Sequence, residues 1–294
     1  MPKYIEINCK SACNKVVSSF LPYHFDLNIY RGCFHKCKYC FAQYSHKYMN
    51  STDFFDEIYV KKNIVEVLEK QLISKRGKRE VINLGGVTDN YQPIEKEYKL
   101  MPDIIKLLIK YKIPAIISTK SNLILRDFDL FAELSKVASV NVATTITTVN
   151  EKVRELIEPN ASTSMERLNI LKEFSKTNVL TGIHIMPIIP EITDSYSNLA
   201  ELFSNAKDCN VNYYITDILN LRGETKINFF KFIKGKLPHL YNKINSYYNG
   251  AYINSNYENK LNNMLIKLKQ KYPLKNKKYF LVEEISPKQL TLFE

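Results

Sequence analysis

Apolar and polar positions along the chain follow two periods that succeed one another repeatedly. Residues 23–30 alternate as in a β-strand, and the apolar residues of 61–76 repeat with the period of an amphipathic helix that Gly77 ends. The same pattern predicts further strands at 80–84, 114–119, 140–146, 179–186 and 211–218. It predicts intervening helices at 98–112, 127–137, 150–157, 163–175 and 194–207, with others in the 220s and 230s.

Strand and helix alternate six times, and this alternation predicts a parallel sheet with right-handed crossovers. Six units cannot close an eight-stranded barrel, so the predicted fold class is α/β, an open partial (β/α)6 TIM-like barrel. Residues 1–22 are predicted to be an irregular lead-in and 23–240 the barrel, with a helical, basic C-terminal extension and tail at 241–294. Ligands of such folds bind at the carboxyl ends of the strands.

The ends of several elements carry local signals. Ser162 with Glu166 is the pattern of a helix N-cap, and Pro187 and Pro190 are expected to end the fifth strand. In the tail, a helix over 257–272 is expected to place Leu261, Leu265 and Leu268 in one seam beneath a basic face.

Composition limits the class of protein. The chain has 294 residues, of which 45% are hydrophobic and 24% charged, as is typical of a globular protein. Its start has no apolar signal region and no run approaches 18 apolar residues, so we expect a cytoplasmic protein with no membrane segment. Thiols stay reduced in that compartment, and the six cysteines therefore favour a metal or catalytic role over disulfides.

The charge balance indicates a polyanionic partner. A net charge of +12 suits nucleic acid, and the 20 Tyr and 15 Phe include enough aromatics for base stacking. Neither feature is specific to a nucleic-acid partner. An AT-rich coding sequence also enriches Lys, Asn, Ile and Tyr, and most aromatics in a domain of this size belong to the core.

Half of the cysteines fall within eight positions. Cys33, Cys37 and Cys40 have the spacing C-x-x-x-C-x-x-C directly after the first predicted strand. Three thiolates on one short loop suit a [4Fe-4S] cluster in which one iron stays free to bind a small molecule. The alternative is a four-ligand zinc site in which Cys9 or Cys13 supplies the fourth thiolate.

This spacing, with Tyr39 before the last cysteine and Phe41 after it, resembles the radical S-adenosylmethionine (SAM) superfamily. The resemblance implies that the open iron chelates the amino and carboxylate groups of SAM. It also implies that one electron from the cluster cleaves the sulfonium to a 5'-deoxyadenosyl radical, and that a reductant such as flavodoxin or ferredoxin supplies this electron. Tyr39 would then lie near the adenine; its alternative role is packing.

Two strand ends offer further SAM contacts. Gly85 and Gly86 let a backbone approach a ligand closely and lie where related enzymes use a Gly-rich segment against the SAM amino group. Val87 stands where those enzymes often have an acidic residue. A plain turn is the alternative for this pair.

Hydroxyls and one lysine follow the next two strands. Thr119, Lys120 and Ser121 suit the methionyl carboxylate through charge-assisted hydrogen bonds, and Thr145 suits the ribose hydroxyls. Solvated loop polarity, and for Thr145 simple strand preference, are the alternatives. On the fifth predicted strand, His184 either fills the barrel or lines the pocket.

Several phrases resemble the spore photoproduct lyase-like group, DNA repair enzymes of this superfamily. They are Lys10-Ser11, 28–33, 88–93, 119–121, Arg126-Asp127, Glu158-Pro159 and 187–190. The resemblance implies hydrogen abstraction from a thymine dimer in DNA and return of a hydrogen atom from a cysteine. None of the three remaining cysteines, Cys9, Cys13 and Cys209, is assigned that role. Tyr91 is a candidate hydrogen-atom donor of another kind.

The last residues resemble a partner motif. Gln289, Leu290, Leu292 and Phe293 match the pentapeptide by which bacterial repair proteins bind the DNA sliding clamp; an apolar terminus that covers its own barrel is the alternative.

The leading hypothesis is a radical SAM enzyme acting on nucleic acid. Two alternatives stay open: a radical SAM enzyme acting on a peptide or small metabolite, and a zinc-bearing nucleic-acid-binding protein without catalysis.

Overall fold

A computed structural model describes residues 2–18, 21–49, 51, 53–74 and 80–275 of the chain. The β-strands are, in chain order, β1 Lys3–Ile7, β2 Cys13–Lys15, β3 Phe25–Leu27, β4 Tyr30–Arg31, β5 Glu57–Lys61, β6 Ile82–Leu84, β7 Ala115–Thr119, β8 Val140–Thr145, β9 Leu180–Ile188, β10 Tyr213–Ile218, β11 Tyr248–Asn249 and β12 Tyr252–Ile253. The α-helices are α1 Ile64–Ser74, α2 Glu95–Tyr98, α3 Leu100–Tyr111, α4 Phe128–Val137, α5 Glu151–Ile157, α6 Ser164–Phe174, α7 Tyr196–Asp208, α8 Gly223–Lys236, α9 Tyr241–Ser246 and α10 Ser255–Lys271. Short 3-10 helices cover Phe41–Met49, Asn122–Asp127 and Pro238–Leu240.

The main sheet has seven strands in the order β10-β9-β8-β7-β6-β3-β2. Six of these strands run parallel to one another, namely β3, β6, β7, β8, β9 and β10. The seventh, β2, pairs antiparallel with β3 at one edge. Helices lie between successive parallel strands from β6 onward, as right-handed crossovers require. The predicted open (β/α)6 partial barrel is therefore confirmed.

The N-terminal segment is more ordered than the predicted irregular lead-in. β1 pairs in parallel with β5, a strand that periodicity did not predict, and β5 pairs antiparallel with β4. β2 joins the main sheet through β3. Both β1 and β2 are short and mostly exposed, so they lack the apolar repeat on which the prediction rests.

Three predicted boundaries are wrong in informative ways. The strand predicted at 23–30 is broken after Leu27, and its end moves to another sheet as β4. The cap of α6 is Thr163 rather than Ser162, because Thr163 and Glu166 form a reciprocal capping box. β9 continues through Pro187 to Ile188. A proline near the end of a strand is tolerated, because its missing N–H removes at most one hydrogen bond between the strands.

The C-terminal helix α10 packs on the barrel. As predicted, its buried seam is Leu261, Leu265 and Leu268. The seam belongs to the same apolar cluster as Leu199 and Phe203 of α7. The predicted clamp motif at 289–293 lies outside the described residues. Among the helices that the structure describes, none is both long and apolar enough to span a membrane.

Candidate active site at the carboxyl ends of the strands

One cavity of about 740 Å³ occupies the interior of the partial barrel, a size typical of small-molecule sites. The cysteine loop between β4 and β5 and the carboxyl ends of β6 to β10 form its upper wall. The predicted site residues that line it are Cys33, Cys37, Cys40, Tyr39, Gly85, Gly86, Thr119, Lys120 and Thr145. Segments that are distant in sequence therefore meet where the fold class places a ligand.

The cysteine loop is held in shape by its neighbours. Gly32 has a φ of +81°, and a Cβ there would overlap the carbonyl oxygens of Phe54 and Glu57, so this position requires glycine. The Gln92 side chain accepts from Phe34 N at 3.0 Å and donates to Gly32 O at 3.2 Å. The loop is therefore fixed by backbone contacts that do not use the thiols.

The far side of the loop is tied in the same way. The amide of Asn160 donates to Phe34 O at 2.8 Å, and the hydroxyl of Thr225 in α8 donates to Cys40 O at 3.2 Å. Cys37 and Tyr39 also pack in one apolar cluster with Phe229 of α8. The thiols are thus presented by a rigid frame, which is what a cluster of fixed geometry needs.

The three thiols fit a metal centre in their chemistry. Burial raises the pKa of Cys33, Cys37 and Cys40 to about 12 each. Such groups stay protonated at neutral pH unless a metal replaces the proton, because a coordinated thiol is deprotonated outright. The loop therefore supplies three sulfur donors that a metal centre can bind in exchange for their protons.

Cys9 and Cys13 lie elsewhere. Cys9 is bound through its backbone to the side chain of Asn63, and Cys13 is in β2, opposite Leu27. Neither lines the cavity. Among the described residues, no three His, Cys, Asp or Glu side chains converge on a position for one metal ion. A zinc site that adds Cys9 or Cys13 to the cysteine loop is incompatible with this placement.

A buried charged cluster supports the loop from behind. The hydroxyl of Tyr39 donates to Glu158, and Glu158 forms a 2.6 Å ion pair with Arg167, both side chains being fully buried. Burial would raise the pKa of Glu158, but the charges of Arg167 and Lys120 outweigh burial and lower it. Glu158 is thus ionised and holds Tyr39, whose own pKa burial and Glu158 raise well above its usual value.

A second carboxylate, that of Asp89, binds the carboxyl end of β7. Asp89 accepts from Thr119 Oγ1 at 2.8 and 2.9 Å and from Lys120 N at 2.8 Å. His35 Nε2 lies 3.6 Å from Asp89 Oδ2. We call Tyr39, Asp89, Thr119, Glu158 and Arg167 the cysteine-loop network. Its polar groups are largely satisfied by one another, so it positions the loop and the strand ends.

Lys120 is the cation of this site. Its Nζ lies 5.8 Å from the ring centre of Tyr39. Burial would lower its pKa, but the neighbouring acidic groups of Cys37 and Glu158 raise it. Among the described residues its ammonium has no hydrogen-bonded carboxylate, so its charge is available to an anionic group in the cavity.

The remaining predicted residues differ in position. Gly85 has a φ of +102°, which favours glycine, and a Cβ at Gly86 would overlap the carboxylate of Asp26. Thr145 Oγ1 lies 3.4 Å from Ser118 Oγ. Ser121 does not line the cavity, because its hydroxyl caps the following 3-10 helix by accepting from Leu123 N.

Tyr91, the suggested hydrogen donor, and Cys209, a spare thiol, lie away from the cavity. Tyr91 is fully buried, and its hydroxyl donates to Asp127 at 2.8 Å. Cys209 ends α7 and is buried in the apolar cluster beneath α10. The tyrosines that do line the cavity are Tyr23, Tyr39 and Tyr213.

Sequence reasoning missed most of the lower part of the cavity. Asn83, Asn141, His184 and Tyr213, which we call the polar floor, line it below the strand ends, and only His184 is a pocket candidate by sequence. The signal was present in the strands themselves. A single Asn in Ile82–Leu84 and another in Val140–Thr145 interrupt buried apolar runs, and a buried amide needs a hydrogen-bond partner.

Known proteins are similar to this chain in sequence or in fold. An uncharacterized protein of Mycobacterium tuberculosis is 32% identical over 274 residues, 92% of this chain and 81% of the relative. One of Methanocaldococcus jannaschii is 31% identical over 220 residues, 75% of this chain and 79% of the relative. Among solved structures, a spore photoproduct lyase mutant with bound AdoMet and dinucleoside spore photoproduct aligns with a TM-score of 0.67 and 13% identity. That alignment covers 92% of this chain and 79% of the lyase chain, and it confirms the fold.

The family model adds the class of enzyme. The model of the Radical SAM superfamily matches residues 27–203, the span from β3 through the cysteine loop and into α7. This span begins at the last residue of β3 and holds the three cavity cysteines and strands β6 to β9 of the main sheet. The chain therefore belongs to the Radical SAM superfamily and is a radical SAM enzyme, as its cysteine spacing predicts.

Proposed function

We propose that Cys33, Cys37 and Cys40 hold three irons of a [4Fe-4S] cluster and that SAM binds at the fourth, to generate a radical that acts on nucleic acid. The observation that carries the first part is the presence of three thiols on one wall of the 740 Å³ cavity, one buried and two half-buried. Membership in the superfamily supports both cofactors. When bound, they supply a one-electron cleavage of the sulfonium that lets the enzyme abstract a hydrogen atom from its substrate.

The chain's own residues would bind and orient SAM. Lys120 supplies a positive charge for the methionyl carboxylate, and Thr119 stays fixed on Asp89 to hold that strand end. Gly85 and Gly86 bring the backbone to the cavity surface for the amino group. Thr145 offers its hydroxyl to the ribose.

Tyr39 would form the wall for the adenine. Its hydroxyl is engaged by Glu158, so its ring cannot rotate freely, and its face is directed toward the cavity beside Lys120. This arrangement also excludes water on the side of the cysteine loop, since Tyr39 and Cys37 pack against α8.

Anaerobic reconstitution with iron and sulfide tests the cluster assignment. The wild-type protein should bind about four irons and form 5'-deoxyadenosine from SAM on reduction, and Cys33→Ala, Cys37→Ala or Cys40→Ala should abolish both. Cys9→Ala is the matched control and should keep both. Retained iron and SAM cleavage in any of the three variants would refute the assignment.

A binding measurement tests the role of Lys120. Lys120→Met should weaken SAM binding to the reconstituted protein by about tenfold or more, because a hydrogen bond to a charged group is worth about 1.5–3 kcal/mol. Lys136→Met, on the exposed face of α4, should bind SAM as the wild type does. Equal affinities for both variants would place the carboxylate elsewhere.

Nucleic acid is proposed as substrate from charge and surface. The net charge is +12, and Phe41, which lines the cavity, is 62% exposed at its mouth. Tyr44 is exposed on the 3-10 helix that follows the cysteine loop, and Ile227 is exposed on α8. These two helices are in contact, since Asn228 Nδ2 of α8 donates to Gln43 Oε1 of the 3-10 helix. Exposed aromatic side chains on a chain with an excess of positive charge suit stacking of unpaired bases. The similar fold of a lyase crystallised with a dinucleoside lesion adds to this proposal.

Binding to a single-stranded oligonucleotide tests the substrate class. Affinity should fall steeply with salt, and Phe41→Ala should weaken it by about 1–3 kcal/mol. Met165→Ala, an exposed apolar change on α6, should have no effect. DNA repair is then tested by asking whether ultraviolet-damaged DNA stimulates formation of 5'-deoxyadenosine. Binding that is absent or independent of salt would favour a peptide or small metabolite.

The remaining partners are proposed from sequence alone. They are a reductant such as flavodoxin or ferredoxin in the cytoplasm and a sliding clamp bound through Gln289, Leu290, Leu292 and Phe293. Deleting 288–294 should abolish capture of the protein by an immobilised clamp. Undiminished capture would remove the clamp from the proposal.

A further inference from the structure

Tyr213 of the polar floor is a buried phenol held in one position. It begins β10, its side chain is 6% exposed, and it lines the cavity. Its ring lies across Gly182 of β9, where an added Cβ would overlap it, and its hydroxyl reaches Asn141 of β8. Burial raises the pKa of Tyr213, so the phenol keeps its hydrogen at neutral pH.

The strand register places Tyr213 one layer below the proposed SAM site. Tyr213 pairs with Gly182, and His184, two residues further along β9, pairs with Thr145 of β8. Two residues along a strand correspond to roughly 6.6 Å, and their side chains face the same side of the sheet. His184 and Thr145, the residue proposed to bind the ribose, therefore form one layer of the barrel interior, and Tyr213 lies in the next. A molecule in the cavity beneath SAM contacts this phenol.

A chain of hydrogen-bonding groups joins Tyr213 to the upper layer. Tyr213 Oη donates to Asn141 Oδ1 at 2.9 Å, and His184 Nε2 lies 3.4 Å from Oη. On the other side of the imidazole, Nδ1 lies 3.2 Å from Ser118 Oγ, which is 3.4 Å from Thr145 Oγ1. All five side chains line the cavity. The chain thus connects the polar floor with the strand ends across β10, β9, β7 and β8.

One tautomer of His184 satisfies every member of this chain. The Tyr213 hydroxyl donates to Asn141, so its oxygen is free to accept from Nε2–H of His184. His184 Nδ1 then accepts from the hydroxyl of Ser118. Burial, and secondarily the charge of Lys120, lowers the pKa of His184 to about 4, so the imidazole is neutral at pH 7. His184 therefore keeps an N–H beside the phenol oxygen when the phenolic hydrogen leaves.

Tyr213 differs from the other groups in the cavity that hold an easily removed hydrogen. The three cavity cysteines are the proposed metal ligands, and the remaining described thiols do not line the cavity. The hydroxyl of Tyr39 is engaged by Glu158 beside the cysteine loop. Tyr23 precedes β3 and is only half-buried. Of the three cavity phenols, Tyr213 is the one in contact with an imidazole.

We propose that Tyr213 donates a hydrogen atom to the carbon radical formed in the cavity. This inference rests on the proposed function, which supplies the radical. The phenolic O–H bond breaks and a C–H bond forms, so the carbon radical is reduced and Tyr213 is oxidised to a neutral phenoxyl radical. The direction is favourable, because a phenolic O–H bond is weaker than the C–H bonds of sugars and alkyl groups.

His184 is the positioning residue that restores this donor. The phenoxyl oxygen takes one electron from the protein reductant of the proposed function and one proton from His184 Nε2. Ser118 and Thr145 lead a proton back to the imidazole from the strand ends, since hydroxyls both donate and accept. Such transfers require groups within hydrogen-bond reach, and catalytic hydrogen bonds often tighten only when substrate binds.

Deuterium tests the donor without a known substrate. Holoprotein reconstituted in D₂O carries deuterium on its phenols, whereas hydrogen on carbon does not exchange. With no substrate added, the radical formed from SAM is itself the acceptor, so wild-type 5'-deoxyadenosine should gain one deuterium. Tyr213→Phe should lower the deuterated fraction tenfold or more. Tyr23→Phe, which removes another cavity phenol, is the matched control and should keep the wild-type fraction.

Electron paramagnetic resonance gives a second readout. Freeze-quenched wild type should show a tyrosyl radical whose signal narrows when the protein contains ring-deuterated tyrosine, and Tyr213→Phe should lack this signal. In His184→Leu the radical should form and decay several-fold more slowly, because no proton lies beside its oxygen. His184→Gln, whose amide can donate to that oxygen, should restore the decay. Equal decay in wild type and His184→Leu would overturn the role of His184.

Iron content and total 5'-deoxyadenosine are measured on every variant and should stay at wild-type values. Deuterium transfer that persists in folded, iron-loaded Tyr213→Phe would overturn the inference, and so would 5'-deoxyadenosine without deuterium from the wild type. A wild type that forms no 5'-deoxyadenosine would instead refute the proposed cofactor site, and the inference with it.

Discussion

The cysteine-loop network and the polar floor are two ends of one cavity, and they differ in how their polar groups are satisfied. In the network, Glu158 and Arg167 form a 2.6 Å ion pair, and Asp89 accepts hydrogen bonds from the Thr119 hydroxyl and from Lys120 N. In the floor, the groups are neutral, and, within the described residues, one amide donor and one amide oxygen remain free. Charge is concentrated behind the cysteine loop, and free hydrogen-bonding capacity on the floor of the cavity.

The difference teaches how one barrel separates support from recognition. A buried ion pair is costly to desolvate and tolerates little movement, so it makes a rigid frame for the cysteine loop. A neutral amide costs less to bury and can exchange water for a ligand. Three substitutions test this difference between the two ends and a fourth tests a buried charge outside both; the largest effect is expected in the network.

Breaking the ion pair should have the largest effect on stability. Arg167→Met leaves Glu158 buried without its cation, which costs about 3–5 kcal/mol of unfolding free energy. Lys106→Met removes an exposed ion pair with Asp103 and should cost little. Urea denaturation of both variants measures this difference. Equal losses in the two variants would show that the network is not a rigid frame.

Removing an unpaired charge should instead stabilise the protein. Lys61 is buried near the start of the cysteine loop and its Nζ donates to Asn28 O at 2.5 Å, with no carboxylate among its described partners. Burial lowers the pKa of Lys61 from 10.5 to about 8, a shift worth about 3 kcal/mol. Lys61→Met should therefore gain about 2 kcal/mol at pH 7, after about 1 kcal/mol for the lost hydrogen bond.

The stability gained by Lys61→Met should depend on pH. Between the folded pKa of about 8 and the unfolded value of 10.5, the unfolded chain binds more protons, so wild-type stability rises with pH. The advantage of Lys61→Met should be full below pH 8 and shrink toward pH 10.5. Denaturation at about pH 7 and about pH 9.5 measures it, and a constant advantage would contradict the assignment.

A single methyl group should disturb the polar floor. A Cβ at Gly182 would overlap the ring of Tyr213, which lies across that strand to reach Asn141. Gly182→Ala should cost about 1.5 kcal/mol and displace the tyrosine. Gly235→Ala, where nothing lies within 4 Å of the added atom, should stabilise α8 slightly. Thermal unfolding compares them, and a neutral Gly182→Ala would mean that Tyr213 is not confined.

The smallest effect belongs to one hydroxyl of the floor. Tyr213→Phe removes the donor to Asn141 Oδ1 and should cost about 1 kcal/mol, because a neutral hydrogen bond is lost and no charge is exposed. Tyr4→Phe, partly exposed on β1, is the control and should change little. A loss from Tyr213→Phe as large as that from Arg167→Met would remove the distinction between the two ends of the cavity.

Much of this site was predictable from local patterns. The spacing of Cys33, Cys37 and Cys40 and the six strand–helix units placed the loop and Lys120 at one edge of the sheet, since carboxyl ends of parallel strands meet there. Ser121 shows the limit of this reasoning. It follows the same strand as Lys120, yet its hydroxyl caps the next helix rather than facing the cavity.

The sequence by itself determined the superfamily, the six strand–helix units of the barrel and the three candidate sulfur donors, because these depend on spacing within a few residues. Only the tertiary structure decided which distant groups meet. Tyr39 reaches Glu158 across 119 positions, and Asn83 and Asn141 become neighbours of Ile116 through strand register. Such partners are chosen by packing and by the need to satisfy every buried polar group, and no local period records that choice.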